Sequence, residues 1–202
     1  DFFAQQSVPN VTWNFQVLSK GKLFRRSIGR NMAARSTTAD WVWFTDCDII
    51  FHENCLDSLA DSLQHEKGLL FFPEEEKISE MLKDDDPLLI KDAEPQLIDI
   101  NTENFSFYER NKSRNKARGP FQIAHGDVVR AIGYCEKISM FQTESESWSK
   151  CYEDTAFRWL LGTDGEPKKI DGVFHIQHVT KGRYAENSKL SAVRSNIRQS
   201  QK

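Results

Sequence analysis

Trp41-Val42-Trp43-Phe44-Thr45-Asp46-Cys47-Asp48 is an apolar run without polar alternation that ends in two carboxylates. A run of this kind reads as a strand buried on both faces, the signature of a parallel sheet in an α/β protein. Ligands of such sheets bind beyond the carboxyl ends of the strands, which is where Asp46 and Asp48 lie. Residues two apart leave a strand on the same side, so the two carboxylates can share a divalent cation, with phosphate oxygens and water completing its shell. An isolated D-x-D is a common loop entry; its place at the end of a buried strand is what gives this one weight.

Working outward from that strand, the chain alternates strand and helix signals. Thr12 to Val17 alternates polar and apolar residues as a strand would, and Leu23 to Arg35 carries Phe24, Ile28 and Met32 at helical spacing. Beyond Asp48, Asn54 to Gln64 reads as a helix with Leu56, Leu59, Ala60 and Leu63 inward, and Gly68 to Phe72 as a strand stopped by Pro73. This order predicts a mostly parallel central sheet with crossover helices. From Glu74 to Pro120 the rhythm breaks into an irregular insertion, read as a helix, short strands near Leu97 to Ile100 and Phe105 to Tyr108, and an acceptor-side loop. Its acidic run Asp84-Asp85-Asp86 and its basic stretch Arg110 to Arg118 read first as solvated surface. The basic loop could instead order over a bound diphosphate. Gly119 to His125 returns to a strand, Asp127 to Ile132 and Glu153 to Leu161 to helices, and Ile170 to His178 to a last strand; residues 189–202 form a polar tail.

At 202 residues, with 39% hydrophobic content and 14 Phe, the chain is long enough for one globular domain spanning 1–202. A net charge of -3 implies no general affinity for nucleic acid. The four cysteines lack C-x-x-C spacing, which argues against a zinc knuckle or a thioredoxin-like site. No apolar stretch approaches the roughly 20 residues of a membrane span, and no signal peptide opens the chain, so a cytoplasmic, soluble protein is expected.

Three groupings carry chemistry. Lys22, Arg26 and Arg30 share one line on their helix, either an ordinary basic outer face or a counter-charge for a nucleotide diphosphate beside the D-x-D. Glu153-Asp154 opens a helix, where the dipole favours carboxylates. Asp154 either pairs with Arg158 four residues on or stands beside a substrate hydroxyl as a general base. His175 and His178, three apart on one strand, are expected to face opposite sides, so that one of them meets the site. An imidazole joined to carboxylates suits Mn²⁺ better than Mg²⁺, and Lys181 and Arg183 would follow near the phosphates.

Gly29-Arg30-Asn31, Asp46-Cys47-Asp48, Gln122-Ile123-Ala124-His125-Gly126, Tyr152-Glu153-Asp154 and His178, in that order, resemble the motifs of A-type glycosyltransferases. The pattern is most similar to family 2 and to its β-1,4-galactosyltransferase-like relatives, over about residues 12 to 184. The resemblance implies a metal-dependent transferase that moves a sugar from a nucleotide-diphosphate donor to an acceptor hydroxyl with inversion. It assigns Mn²⁺ or Mg²⁺ to Asp46, Asp48 and His178, with His175 as the other candidate imidazole. It assigns the donor to Arg26, Arg30, Asn31, Asp46, Gly126, Lys181 and Arg183, Gly126 by letting backbone approach a sugar. Asp154 becomes the base and Glu153 the residue that orients the acceptor. Such enzymes begin with a further strand and helix that bind the nucleotide base. The 45 residues ahead of Asp46 are too few for that unit as well, so the first strand-helix unit is expected to be missing. A nucleotidyltransferase acting on sugar phosphates and a non-catalytic carbohydrate-binding domain are the competing readings.

Overall fold

The computed structural model describes residues 2, 5–52, 54–83, 85–90, 94, 100–108, 115–147 and 151–178. Short α1 (Lys20–Leu23), capped by Ser19, leads into α2 (Arg26–Ser36). Then come β1 (Trp41–Phe44), β2 (Ile49–Phe51), α3 (Cys55–Leu63), β3 (Leu70–Pro73), β4 (Lys77–Leu82) and β5 (Ser106–Phe107). β6 (Gln122–His125), α4 (Gly126–Ile132), α5 (Ser139–Gln142), α6 (Glu153–Leu161), β7 (Glu166–Lys168) and β8 (Val173–His178) complete the order. Among the described residues no helix is long and apolar enough to cross a membrane.

The strands form two four-stranded sheets, ordered β1-β6-β3-β7 and β2-β8-β4-β5. The expected mostly parallel sheet is corrected: both sheets are mixed, and among the described residues only the β3–β7 and β4–β8 pairings are parallel. The reason is the position of β6. β1 and β3 each pair antiparallel with β6, so they run in the same direction as a helical crossover demands, yet a reversed strand lies between them. Burial on both faces marks a strand as interior and says nothing of its neighbours' direction.

The core gathers Phe44, Leu70, Phe71, Phe72, Phe121, Ile123, Tyr134 and Phe157 between sheet and helices, most of them fully buried. Aromatic geometry organises it: Tyr134 stacks on Phe157 at 4.5 Å, and Phe44 meets both rings.

Residues 74–120, expected as an irregular insertion, supply β4 and β5 of the second sheet. Lys77-Ile78-Ser79-Glu80-Met81-Leu82 has helix-forming Lys, Glu, Met and Leu, but pairing with β8 overrides that preference. The strand expected near Leu97 to Ile100 lies, but for Ile100, outside the described residues, as do residues 110–114 of the basic stretch and the tail 189–202. Thr12–Val17, by contrast, is described and takes no regular form. The helix predicted over Leu23 to Arg35 is broken in two, and the buried face of α2 is Ser27, Ile28 and Ala34, with Met32 exposed.

Candidate functional site

A cleft of about 690 Å³ opens at the carboxyl end of β1. α2 sends two cations into it: Arg26 and Arg30 are one turn apart on the face opposite Ile28. Arg26 Nη1 and Arg30 Nη2 each donate to Asp46 Oδ1 at 2.8 Å, and Arg26 also holds Glu153 Oε1 at 2.9 Å. Glu153 is buried, so this ion pair is what allows a carboxylate there. Burial acts to lower the Arg26 pKa, and the two carboxylates outweigh it, leaving the guanidinium more basic than usual.

Asp48 forms the next wall. Its Oδ2 lies 3.5 Å from His175 Nε2 and 3.6 Å from His178 Nε2. Burial alone would raise the carboxyl's pKa, but the histidines beside it hold it well below the ordinary range. The expectation that one of the two histidines meets the site is corrected: both imidazoles reach Asp48, and the ladder between β8 and β4 beside them is irregular. Ile78 pairs with His175 and Met81 with Gln177, so three steps of β4 span two of β8. Ser79 Oγ fills the gap by accepting from Gln177 N at 2.8 Å. Such bulges twist a ladder and re-aim side chains. His175 is itself raised to about 9: burial lowers it, and Asp48 and Glu76 on either side of the ring more than compensate.

Asp154 lies in the first turn of α6, where Gly119 N donates to its Oδ2 at 3.0 Å. The helical pair with Arg158 does not form; Arg158 bonds Asp164 and Thr155 instead. Tyr152, before α6, sits at φ 56°, a conformation that bulky residues rarely adopt, and it lines the cleft. Beneath the cleft a buried polar chain joins its two sides. Arg30 Nη1 donates to Tyr134 Oη at 3.1 Å, Tyr134 Oη to Gln122 Oε1 at 2.8 Å, and Gln122 Nε2 to the Asp154 carbonyl at 2.9 Å.

Of the residues expected at the site, Arg26, Arg30, Asp46, Asp48, Glu153, Asp154, His175 and His178 line this one cleft. Asn31 and Gly126 do not. Asn31 Oδ1 accepts from Tyr134 N at 2.8 Å and so ties α2 to the segment after α4. Gly126 lies at the opposite end of the sheet, because β6 runs against β1 and pairs His125 with Trp41, the first residue of β1. Its missing side chain makes room for the chain before β1: Gly126 N donates to Asp40 O at 2.6 Å, and a Cβ would collide with the Ala39 carbonyl. Lys181 and Arg183 lie outside the described residues.

No local pattern marks Glu76, Gly119 or Phe121 as part of a site, and Arg118 reads as one more charge of a basic run. Arg118, Gly119 and Phe121 line the cleft at the amino end of β6. The signal for them was the strand direction, which composition does not carry.

Among the described residues no three or more His, Cys, Asp and Glu side chains form a preassembled metal cage. A cation on a nucleotide diphosphate does not need one, since phosphate oxygens and water supply most of its shell. Asp48 suits a partial site of that kind: its Oδ1 is buried with no hydrogen-bond partner among the described residues. Such an orphaned acceptor is costly unless something is to fill it. Cys47, between the two aspartates, is a poor ligand, its thiol pushed up by burial and by Asp48 and Asp46.

The sequence profile described as glycosyl transferase family 2 matches residues 4–130, more than half of the chain. No curated protein and no solved structure matches it.

Proposed function

The chain belongs to glycosyl transferase family 2, and from that membership we propose that its cleft moves a sugar from a nucleotide-diphosphate donor to an acceptor hydroxyl with inversion. The observation that carries the reading is the meeting of Asp46, Asp48, both histidines and Asp154 around one cavity with Arg26 and Arg30. Their chemistry divides it into a phosphate side and a proton-accepting side.

On the phosphate side, Asp46 and Asp48 with His178 or His175 would hold the divalent cation, Mn²⁺ or Mg²⁺. When bound, that cation neutralises charge on the donor diphosphate. Arg26 and Arg30 neutralise Asp46 in the free chain. A diphosphate entering the cleft offers them stronger, multiply charged acceptors, so they turn from Asp46 to the donor. Glu153, buried against Arg26, holds that guanidinium at the cleft wall, beside its proposed role of orienting the acceptor.

On the other side, Asp154 is the base. The acceptor hydroxyl gives its proton to the Asp154 carboxylate as its oxygen bonds the sugar's anomeric carbon. The bond from that carbon to the diphosphate oxygen breaks, and the nucleoside diphosphate leaves with the electron pair. The Gly119 amide fixes one carboxylate oxygen during this step. The first turn of α6 favours negative charge at that position through the helix dipole.

The test is release of nucleoside diphosphate from UDP-, GDP- and dTDP-sugars with Mn²⁺ and an acceptor panel. Asp154→Asn is expected to lower the rate by roughly 10²- to 10⁴-fold, the usual worth of a general base. Asp48→Ala should remove both activity and the stabilisation that donor plus Mn²⁺ gives the native chain in thermal shift. A folded Asp154→Asn variant with full rate refutes the base assignment. Pyrophosphate released from a nucleoside triphosphate would mean nucleotidyl transfer instead.

A further inference from the structure

Glu76 takes no part in the roles above, yet it is the most deeply buried acid among the described residues. It closes the run Glu74-Glu75-Glu76 after β3; its two predecessors are exposed, while Glu76 is 2% exposed. A carboxylate is almost never buried so far without charged partners. Two such partners face Glu76 from different elements. Arg118 Nη2 donates to Oε1 at 3.0 Å, and His175 Nδ1 lies 3.5 Å from Oε2. The other nitrogen of that imidazole is the one facing Asp48 Oδ2. Phe121 meets the same ring edge-on at 6.2 Å, limiting its rotation. Arg118 in turn precedes Gly119, whose amide donates to Asp154 Oδ2. One buried charge therefore reaches the Asp48 end of the cleft through an imidazole and the Asp154 end through a turn.

We infer that Glu76 is a positioning residue that sets both ends of the cleft, turning the His175 ring toward Asp48 and the Arg118-Gly119 turn toward Asp154. The residue type follows from the partners. Both are donors, and an ionised carboxylate is the side chain with two acceptor oxygens and no donor of its own. An amide of the same shape must set its NH₂ against either Arg118 or His175. The consequence for ligand binding rests on the proposed function; the holding of the ring does not.

The test uses ¹⁵N-labelled full chain and the substitution Glu76→Gln. In the metal-free parent, the His175 Nδ1 proton is expected to exchange with water far more slowly than that of exposed His65, and Glu76→Gln should abolish this protection. Calorimetry with UDP plus Mn²⁺ should show affinity weakened by about 10- to 100-fold in Glu76→Gln, as for partners behind a metal ligand. Glu76→Asp, which keeps the charge on a shorter arm, should recover part of it. A folded Glu76→Gln with unchanged ring signals and unchanged affinity overturns the inference. If Glu76→Gln does not fold, rapid exchange of the parent's Nδ1 proton overturns it and slow exchange supports it. UDP–Mn²⁺ affinity that survives Asp48→Ala sinks the metal reading separately, and the ring signals then decide the role of Glu76 alone.

Discussion

Tyr134→Phe separates the two things Tyr134 does in the core. Its ring stacks on Phe157 and tilts against Phe44, and a phenylalanine keeps both contacts. Its hydroxyl, fully buried, accepts from Arg30 and donates to Gln122, and only this is lost. Burial pushes the phenol well above its ordinary pKa, so the neutral hydroxyl is the species removed. Gln122 Oε1 then loses its donor in a place water does not reach, and Arg30 Nη1 loses an acceptor while Nη2 keeps Asp46 and the Thr45 carbonyl. With roughly 1–3 kcal/mol for a stranded buried polar group, and the lower end for the still-paired arginine, the substitution should cost about 2–4 kcal/mol. That is a large share of the roughly 5–15 kcal/mol by which domains are typically stable. Urea unfolding at pH 7 measures it, with equal slopes for the two proteins showing that the unfolded states match. Because Gln122 also holds the Asp154 carbonyl, transfer by the folded variant should slow as well. A loss under about 0.5 kcal/mol, within the range of surface changes, would show that the hydroxyl chain is not what braces the cleft.

Two other outcomes are expected. Gly126→Ala should destabilise the chain by at least the roughly 1–3 kcal/mol typical of overpacking, since the new methyl meets the Ala39 carbonyl, while donor affinity of the folded fraction stays unchanged. A selective loss of donor binding would return Gly126 to the cleft. The metal-free chain should also lose stability as pH rises through about 9. His175 is raised from 6.5 to about 9 in the folded state, so its contribution is whole below pH 6.5 and falls away across that window. The slope cannot exceed about 1.4 kcal/mol per pH unit for one proton. Asp48, lowered by folding, acts in the opposite sense: its contribution is present above the usual carboxylate range and is lost on acidification. Denaturant midpoints from about pH 6 to 10, compared with His175→Gln, check this; parallel curves would disprove the coupling.

The sequence reading reached the parts of the site that depend on local pattern. Glu153–Leu161 is a helix with the bounds its apolar spacing predicts, and β1 ends before Asp46 because the apolar run ends there. Arg26 and Arg30 face one way because they are four apart on a helix. What failed depends on partners distant in sequence. Gly126 is assigned to the sugar only through the resemblance's glycine-bearing motif, and the antiparallel pairing of β6 with β1, which puts Gly126 at the far end of the sheet, is not written in that motif. Ideal alternation sets His175 and His178 on opposite faces, yet both imidazoles come to Asp48, a residue from another part of the chain. Glu76, third in a run of acids, carries no local sign that its cation stands 42 residues further along.

The sheet that carries Asp46 is closed by a strand made long after its neighbours. β1 and β3 are both synthesised before residue 74, yet the strand that joins them comes only with Gln122–His125, and the other neighbour of β3, β7, only with Glu166–Lys168. Until then two apolar strands expose facing hydrogen-bonding edges, the kind of surface that recruits other chains. Yield on expression, and the sensitivity of young chains to chaperone supply, should therefore hinge on residues 119–125 more than on the aspartates themselves. Emergence of that short stretch covers the facing edges of β1 and β3, and the outer edge of β3 is covered only when Glu166–Lys168 follows.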